Sequence, residues 1–438
     1  MMLNGKKKPK RRKKRIKLSP KASRVLNVLK GVALRFSWAA RLVIGAVLFT
    51  PILVYMVYIN YTVDRQGVFQ GDQELRNVVD MLLSGKNITG YEQFNERQRD
   101  ILALLAEKFE TPPNTIALGS SRILQMNFET AGLEDGEFFN CGLTGADFLD
   151  IIGSYYLFEK NNCLPENLII GLDPWVFNKN SVDSRSDKTL YAEFLTNCLN
   201  IPTPYTKPDP REKWTALYSP SYFQGNISYL RLTGGETNTL QVVNEDELMK
   251  QSTEVKMHDG SILYPTEMRD KKQELIDNEA TVSINYGMLN LEDYTELDTE
   301  RMEHFEAFLR YAKEKGVRVF LILTPYHPIN YEHMSVTRPD HYASFLNTEP
   351  TIRRIASELD IPVYGSYNPY AIPGVTNADF FDSLHCRATC IQKFFPGIPK
   401  AVENLENGVD VGLNYETTKE EAEMRDSGVD QETGSLLT

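Results

Sequence analysis

Cysteine is scarce in this 438-residue chain, which holds only Cys141, Cys163, Cys198, Cys386 and Cys390. An odd count leaves at least one thiol over, and pairing is not deducible from spacing, although Cys386 and Cys390 are nearest in sequence. A metal site made of His385, Cys386 and Cys390 has no fourth ligand in the sequence, and zinc sites use paired Cys/His clusters. Neither a metal nor a cofactor is expected. Cys141, at the end of an apolar strand pattern, reads as core rather than as a nucleophile. No internal repeat is visible.

Charge is missing where it matters. Residues 1–41 have no acid and 15 Lys+Arg; Leu42 to Val63 is a 22-residue run without any charge. The overall net charge of −11 therefore hides a split, because the rest of the chain carries 33 Lys+Arg against 59 Asp+Glu. A basic run such as Lys6 to Lys17 ordinarily suggests nucleic acid or nuclear targeting. The uncharged run beside it is long enough to cross a bilayer, so nucleic acid is not the expected partner. Trp38 lies at its near end and Tyr55, Tyr58 and Tyr61 at its far end, where interfacial aromatics belong; Pro51 falls mid-span, where lipid-embedded helices tolerate it. The positive-inside rule puts residues 1–41 in the cytoplasm and the chain from Asp64 onward outside. A cleaved signal peptide is the rival reading, but no small-x-small cleavage site follows the run, which favours an uncleaved anchor. The juxtamembrane lysines are expected to touch anionic lipid headgroups.

Chemistry concentrates in two stretches. Thr115 to Leu118 is a β-branched and apolar run that stops at Gly119-Ser120-Ser121-Arg122, with a helix-compatible segment after it. A strand, a glycine turn, a hydroxyl and a helix N-terminus together present a nucleophile beside N–H groups that can hold an oxyanion. Gly-Ser-Ser alone is common loop material. Far downstream, Asp379-Phe380-Phe381-Asp382-Ser383-Leu384-His385 holds the only one of the six histidines that sits three residues after an aspartate in this manner. At that spacing Asp382 can hold Nδ1–H of His385 and leave Nε2 free to take a proton from a serine. An incidental histidine in a surface loop is the plainer alternative for this half of the pattern.

The remaining elements join the two stretches. Residues 64–92 form a polar neck with an amphipathic piece at Leu75 to Leu83, and Gln93 to Phe109 has helical periodicity. Strands are expected at Phe138 to Cys141, ahead of the Gly142–Gly145 loop; at Leu168 to Leu172, ending in Asp173-Pro174; at Val317 to Leu323, ending in Tyr326-His327; and at Ile361 to Tyr364. Helices fall between them, at Asp147 to Lys160, Thr299 to Lys315 and Thr351 to Leu359. Such alternation predicts an α/β fold with a doubly wound parallel sheet, whose ligands bind at the carboxyl ends of the strands. Residues 93–406 make this domain. The polar, aromatic stretch of about 178–298 is read as an insert that caps the site and selects an acceptor; Met257 to Tyr264 within it is a hairpin with Asp259-Gly260 at its tip. Residues 407–438 read as an acidic disordered tail.

Gly119-Ser120-Ser121, Asn140-x-Gly142 with Gly145, Gly171-Leu172-Asp173 and Asp382-x-x-His385 resemble the four blocks of the SGNH (GDSL-type) hydrolase superfamily, over roughly Gln93 to Lys400 less the insert. The anchored form with Gly-Ser-Ser is similar to its membrane-anchored acyltransferase-like branch, the DltD-like and AlgJ-like proteins. The resemblance implies a three-layer SGNH-like sheet with Ser121 as nucleophile, His385 as base, Asp382 as its orienter, and the Ser121 N–H with Gly142 or Gly145 as oxyanion donors. It also implies a membrane-bound O-acyltransferase as partner and a cell-envelope polysaccharide or teichoic acid as acceptor of an acetyl or D-alanyl group. Where such hydrolases often carry Gly-x-Asn-Asp, this chain has Gly-Leu-Asp-Pro. A carboxylate at Asp173 repels an oxyanion, so the third donor is in question; Asp173 either serves the site or caps the turn before Pro174. Arg122 pairs with Asp173, binds an anionic acceptor, or is merely solvated. Tyr326 and His327 either line the pocket or are ordinary loop residues. The expected function is O-acyl transfer outside the membrane, with an anchored carbohydrate esterase and a non-catalytic scaffold for a glycan or an acyltransferase as alternatives.

Overall fold

The computed structural model describes residues 19–427, apart from 66, 70–72, 92–93, 182–184, 187, 204–210, 234–239, 289 and 293. The basic run Lys6 to Lys17, the Pro208-Asp209-Pro210 turn, Gly234-Gly235 and the end of the acidic tail lie outside the described residues. The chain forms two compact units, one of residues 1–71 with 209–235 and the other of residues 72–208 with 236–438.

The first unit is built on α1, Pro20–Thr62, a 43-residue helix whose N-terminus is capped by Ser19 accepting the Ala22 N–H. It is long and apolar enough to cross a membrane by length and composition. The helix begins well before the uncharged run and takes in residues 20–41 of the expected basic arm. The other part of this unit, residues 211–233, comes from the expected insert and packs on the last turns of α1.

In the second unit the strands are, in chain order, β1 Asn87–Thr89, β2 Thr115–Leu118, β3 Phe138–Asn140, β4 Asn167–Gly171, β5 Gln241–Val243, β6 Val255–Lys256, β7 Ile262–Leu263, β8 Arg318–Leu323 and β9 Val363–Gly365. Five of them form a parallel sheet in the order β3-β2-β4-β8-β9, with Ile116 beside Leu168 on one side and Phe139 on the other. Its residues alternate between two apolar cores. Ile116, Leu118, Leu168, Ile170, Val319 and Leu321 join one core with the helices Phe94–Lys108, Phe148–Lys160, Thr299–Glu314 and Ala343–Glu358. Ala117, Ile169, Phe320, Ile322 and Tyr364 join the other with Met126, Ile391, Phe395 and Ile398. Burial on both faces is what a continuous run such as Val319-Phe320-Leu321-Ile322-Leu323 requires of a parallel strand. The strand order changes direction at β2, so the β2–β4 junction is the switch point at which such sheets open a crevice.

Three expectations are revised. The 64–92 neck is not a mere linker: Gln73–Leu83 buries Leu75, Val78, Val79 and Leu82 in the main core, and β1 pairs antiparallel with β5 and β6. The insert does not stay together, because 211–233 belongs to the unit of α1 whereas β5, β6 and β7 complete a second sheet in the order β5-β1-β6-β7. Residues 407–427 are ordered despite their acidity. Asn368 Nδ2 donates to Tyr415 O and Thr417 O at 2.8 Å each, and Thr418 caps the helix Lys419–Asp426.

Candidate active site

The Gly119 turn brings the ends of β2 and β4 into close approach. A Cβ there would lie 2.7 Å from Gly171 O, so only glycine lets the ends of β2 and β4 come this close. Ser120 follows in extended conformation and caps a single 3-10 turn, Ser121–Ile123, by accepting the Arg122 N–H at 3.2 Å. The helix expected after the serine is absent. Its carbonyls are taken by partners from elsewhere: Asn140 Nδ2 donates to Ile123 O and Met126 O at 2.8 Å each, and Ile262 N donates to Leu124 O at 2.7 Å. Asp259, from the distant hairpin, captures the Phe128 N–H and Asn127 the Thr130 N–H, so side chains rather than a helical ladder take these amides. Among the described residues no acceptor takes the Ser121 N–H, which leaves that amide available at the turn.

Ser121 Oγ lies 2.8 Å from His385 Nε2. On the other side of the ring, His385 Nδ1 is 2.8 Å from Asp382 Oδ2 and 3.1 Å from Oδ1. The same carboxylate accepts the Leu384 and His385 amides at 2.8 and 2.7 Å. Burial pushes the Asp382 carboxyl upward, but its hydrogen bond and charge contact with His385 and the two amides more than offset this and hold it below its ordinary value. An ionised Asp382 fixes the proton on Nδ1 and leaves Nε2 as the acceptor facing the serine. The His385 ring stacks on Phe381, with centroids 5.6 Å apart and 16° between planes. Ser121, Asp382 and His385 are all partly exposed, so the hydroxyl is reachable.

The other candidates divide. Arg122 is buried and cannot meet an anionic acceptor: its guanidinium lies 3.3 Å from Asp173 Oδ1, donates to Thr324 O and Pro325 O at 2.7 Å each, and sits 4.0 Å over the Tyr326 ring. Burial pulls its pKa down, but Tyr326 and Asp173 outweigh that and keep it above its ordinary value. Asp173 does not cap the turn before Pro174 through its side chain. It faces Arg122 and accepts from Ser120, and burial raises its pKa in spite of both. Tyr326 is fully buried beneath Arg122 and does not line a surface. His327 is buried as well, with Nε2 3.3 Å from Asp277 Oδ1 and its ring 5.1 Å from Phe380; burial lowers its pKa. Both therefore underlie the site. Gly142 donates its N–H to Asn140 Oδ1 at 2.9 Å, so that amide is already spent as an oxyanion donor. Gly145 adopts φ +67° in the loop before Asp147, which caps the helix Phe148–Lys160.

Two side chains at the site were given no role by the sequence reading, although Asn140 stands in the Asn140-x-Gly142 motif. Asn140 organises the turn after the serine, as above. Tyr264, at the end of the β6–β7 hairpin, lies 4.8 Å from Phe381 and 6.4 Å from His385 between ring centroids. The hairpin is fastened to the site by Asp259 O, which accepts Asn140 N at 2.7 Å, and Gly260 is required there because a Cβ would meet Asn140 O at 2.3 Å. Among the described residues no group of three or more His, Cys, Asp or Glu side chains is arranged to hold a metal.

No protein-family model matches the chain, and no curated protein does. Among solved structures it is similar to a Streptococcus pneumonia protein provisionally described as a platelet activating factor, with 8% identity and a TM-score of 0.32 over 77% of this chain and 98% of that one. A likeness that loose assigns neither family nor activity.

Proposed function

We propose that the second unit is an SGNH-like serine acyl-transfer domain, anchored by α1 and acting outside the membrane. The observation that carries this reading is the continuous Ser121 Oγ–His385 Nε2–Nδ1–Asp382 relay, with both links at 2.8 Å. Ser121 Oγ attacks the carbonyl carbon of an acyl donor while His385 Nε2 takes the hydroxyl proton, and the imidazolium is stabilised by Asp382. The free Ser121 N–H faces the developing oxyanion. Collapse returns the proton to the departing donor oxygen or sulfur and leaves an acyl-Ser121. An acceptor hydroxyl then gives its proton to His385 and attacks the acyl carbon, and His385 returns that proton to the departing Ser121 Oγ.

The acceptor is a cell-envelope polysaccharide or teichoic acid and the acyl group acetyl or D-alanyl; a membrane-bound O-acyltransferase would supply the donor. The anchor supports transfer over hydrolysis, since it keeps the domain beside a membrane-embedded donor. Labelling by a fluorophosphonate probe tests the reading on the detergent-solubilised full chain. Wild type should label, and Ser121→Ala and His385→Ala should not. Absence of labelling in the wild type, or labelling that persists in Ser121→Ala, refutes it.

A further inference from the structure

The segment 211–233 is fixed to the end of α1 by a buried polar cluster. Asn60, 0% exposed near the end of the uncharged run of α1, donates through Nδ2 to Ala216 O and Leu217 O at 3.0 Å and to Ser219 O at 3.2 Å. Its Oδ1 accepts from Asn226 Nδ2 at 3.1 Å, and Asn226 Oδ1 accepts the Arg65 N–H at 3.0 Å. Asp64 accepts the Tyr222 hydroxyl at 2.7 Å and the Phe69 N–H at 2.9 Å. The carbonyls that end the 3-10 helix Glu212–Tyr218 are thus satisfied from within, as irregular backbone next to hydrocarbon must be.

The outside of the same cluster is aromatic and uncovered. Trp214 is 51% exposed, Tyr218 58%, Tyr58 60% and Tyr61 48%. Phe69 links the two chain segments, with its ring 5.9 Å from Tyr61 and 5.8 Å from Trp214, and Lys213 Nζ lies 5.4 Å over the Trp214 ring. Tryptophan and tyrosine at the end of a long apolar helix, with a lysine beside them, are the composition of a headgroup-level belt. From Trp38, also exposed, to Tyr61 the helix rises about 35 Å, which spans a hydrocarbon core of about 30 Å and leaves both aromatic ends in the interfaces.

From these contacts we infer that residues 211–230 are a membrane-interface collar, seated in the lipid headgroup layer at the C-terminal end of α1. The inference rests on α1 crossing a bilayer and is independent of the serine chemistry. The full chain in phosphatidylcholine nanodiscs tests it through tryptophan fluorescence, using lipids brominated near the glycerol end or near the chain terminus, with acrylamide as the aqueous quencher. The emission of Trp214 is the difference between wild type and Trp214→Phe, and that of Trp38 the difference between wild type and Trp38→Phe. Shallow bromines should remove about half of the Trp214 emission, deep bromines much less, and acrylamide little. If Trp214 escapes both bromolipids and is quenched by acrylamide while Trp38 is quenched by lipid, α1 is inserted but the collar is not on the membrane. If neither tryptophan responds to bromolipid, α1 does not span and the inference falls with it.

Discussion

Asp382→Asn separates a working relay from three side chains that merely meet. The asparagine Oδ1 can still accept the Leu384 and His385 amides, now at 2.8 and 2.7 Å, so the loop keeps its backbone bonds. The lost element is the anion 2.8 Å from His385 Nδ1. An amide NH2 turned toward that nitrogen favours the tautomer with the proton on Nε2, which then donates toward Ser121 instead of accepting from it. Losses on the order of 10³–10⁴ follow from a wrong tautomer and an unstabilised imidazolium. That is roughly 4–5.5 kcal/mol of barrier at about 1.36 kcal/mol per decade. The assay is the second-order rate of fluorophosphonate labelling of the full chain, with Tm measured in parallel. A loss smaller than about tenfold, with Tm within about 2 °C of wild type, would show that Asp382 does not orient the base.

Asp173→Asn leaves the Arg122 guanidinium buried without its counter-ion, and a loss of about 3–5 kcal/mol is expected by chemical denaturation. Arg122→Met combined with Asp173→Leu should recover much of it, and a double mutant no more stable than Asp173→Asn would show that the pair is not the cause. Gly260→Ala drives a Cβ to 2.3 Å from Asn140 O on a residue with φ +78°, so the hairpin should detach from the site. Hydrogen exchange should then rise at Ile262 N and Asn140 N, whereas unchanged protection at both would refute the close approach. Acid titration gives a signed test of Asp382. Its folded pKa is depressed, so its stabilisation is complete above the unfolded value of about 3.9 and is lost as the pH falls through the folded value. The stability gap between wild type and Asp382→Asn should accordingly close as the pH falls below about 4, and a gap that widens in acid contradicts the assignment.

The sheet was legible because its strands are buried on both faces: runs such as Leu168-Ile169-Ile170 and Val319-Phe320-Leu321-Ile322 have no other soluble reading, and the helices between them leave only parallel pairing. The meeting of Ser121, His385 and Asp382 was legible for a different reason. Ser121 is announced by a glycine that the chain needs where β2 approaches Gly171, and His385 by an aspartate three residues earlier that caps its own loop. Asn140 stood in the Asn-x-Gly motif, but its part in the turn was not legible, nor was that of Tyr264, because each acts through partners more than a dozen residues away in the chain. The missing helix after Ser121 shows the same limit. Nothing local in Leu124 to Thr130 forbids a helix, and only the arrival of Asn140 and the hairpin removes its carbonyls.

Arg122 and Asp173 carry the point furthest. In sequence they are a cation beside a serine and a carboxylate where hydrolases of this kind often hold an amide, which suggests an anion site with a doubtful donor. In the fold they cancel each other: the guanidinium ties the ends of β2, β4 and β8 together through Asp173, Thr324 and Pro325. A neutralised pair neither attracts an anionic acceptor nor repels an oxyanion as a lone carboxylate would. The field at Ser121 is left to the Ser121 N–H and to His385 with its one ionised partner, Asp382. Under the proposed serine chemistry, oxyanion stabilisation would therefore rest on fewer protein donors than the sequence pattern promised.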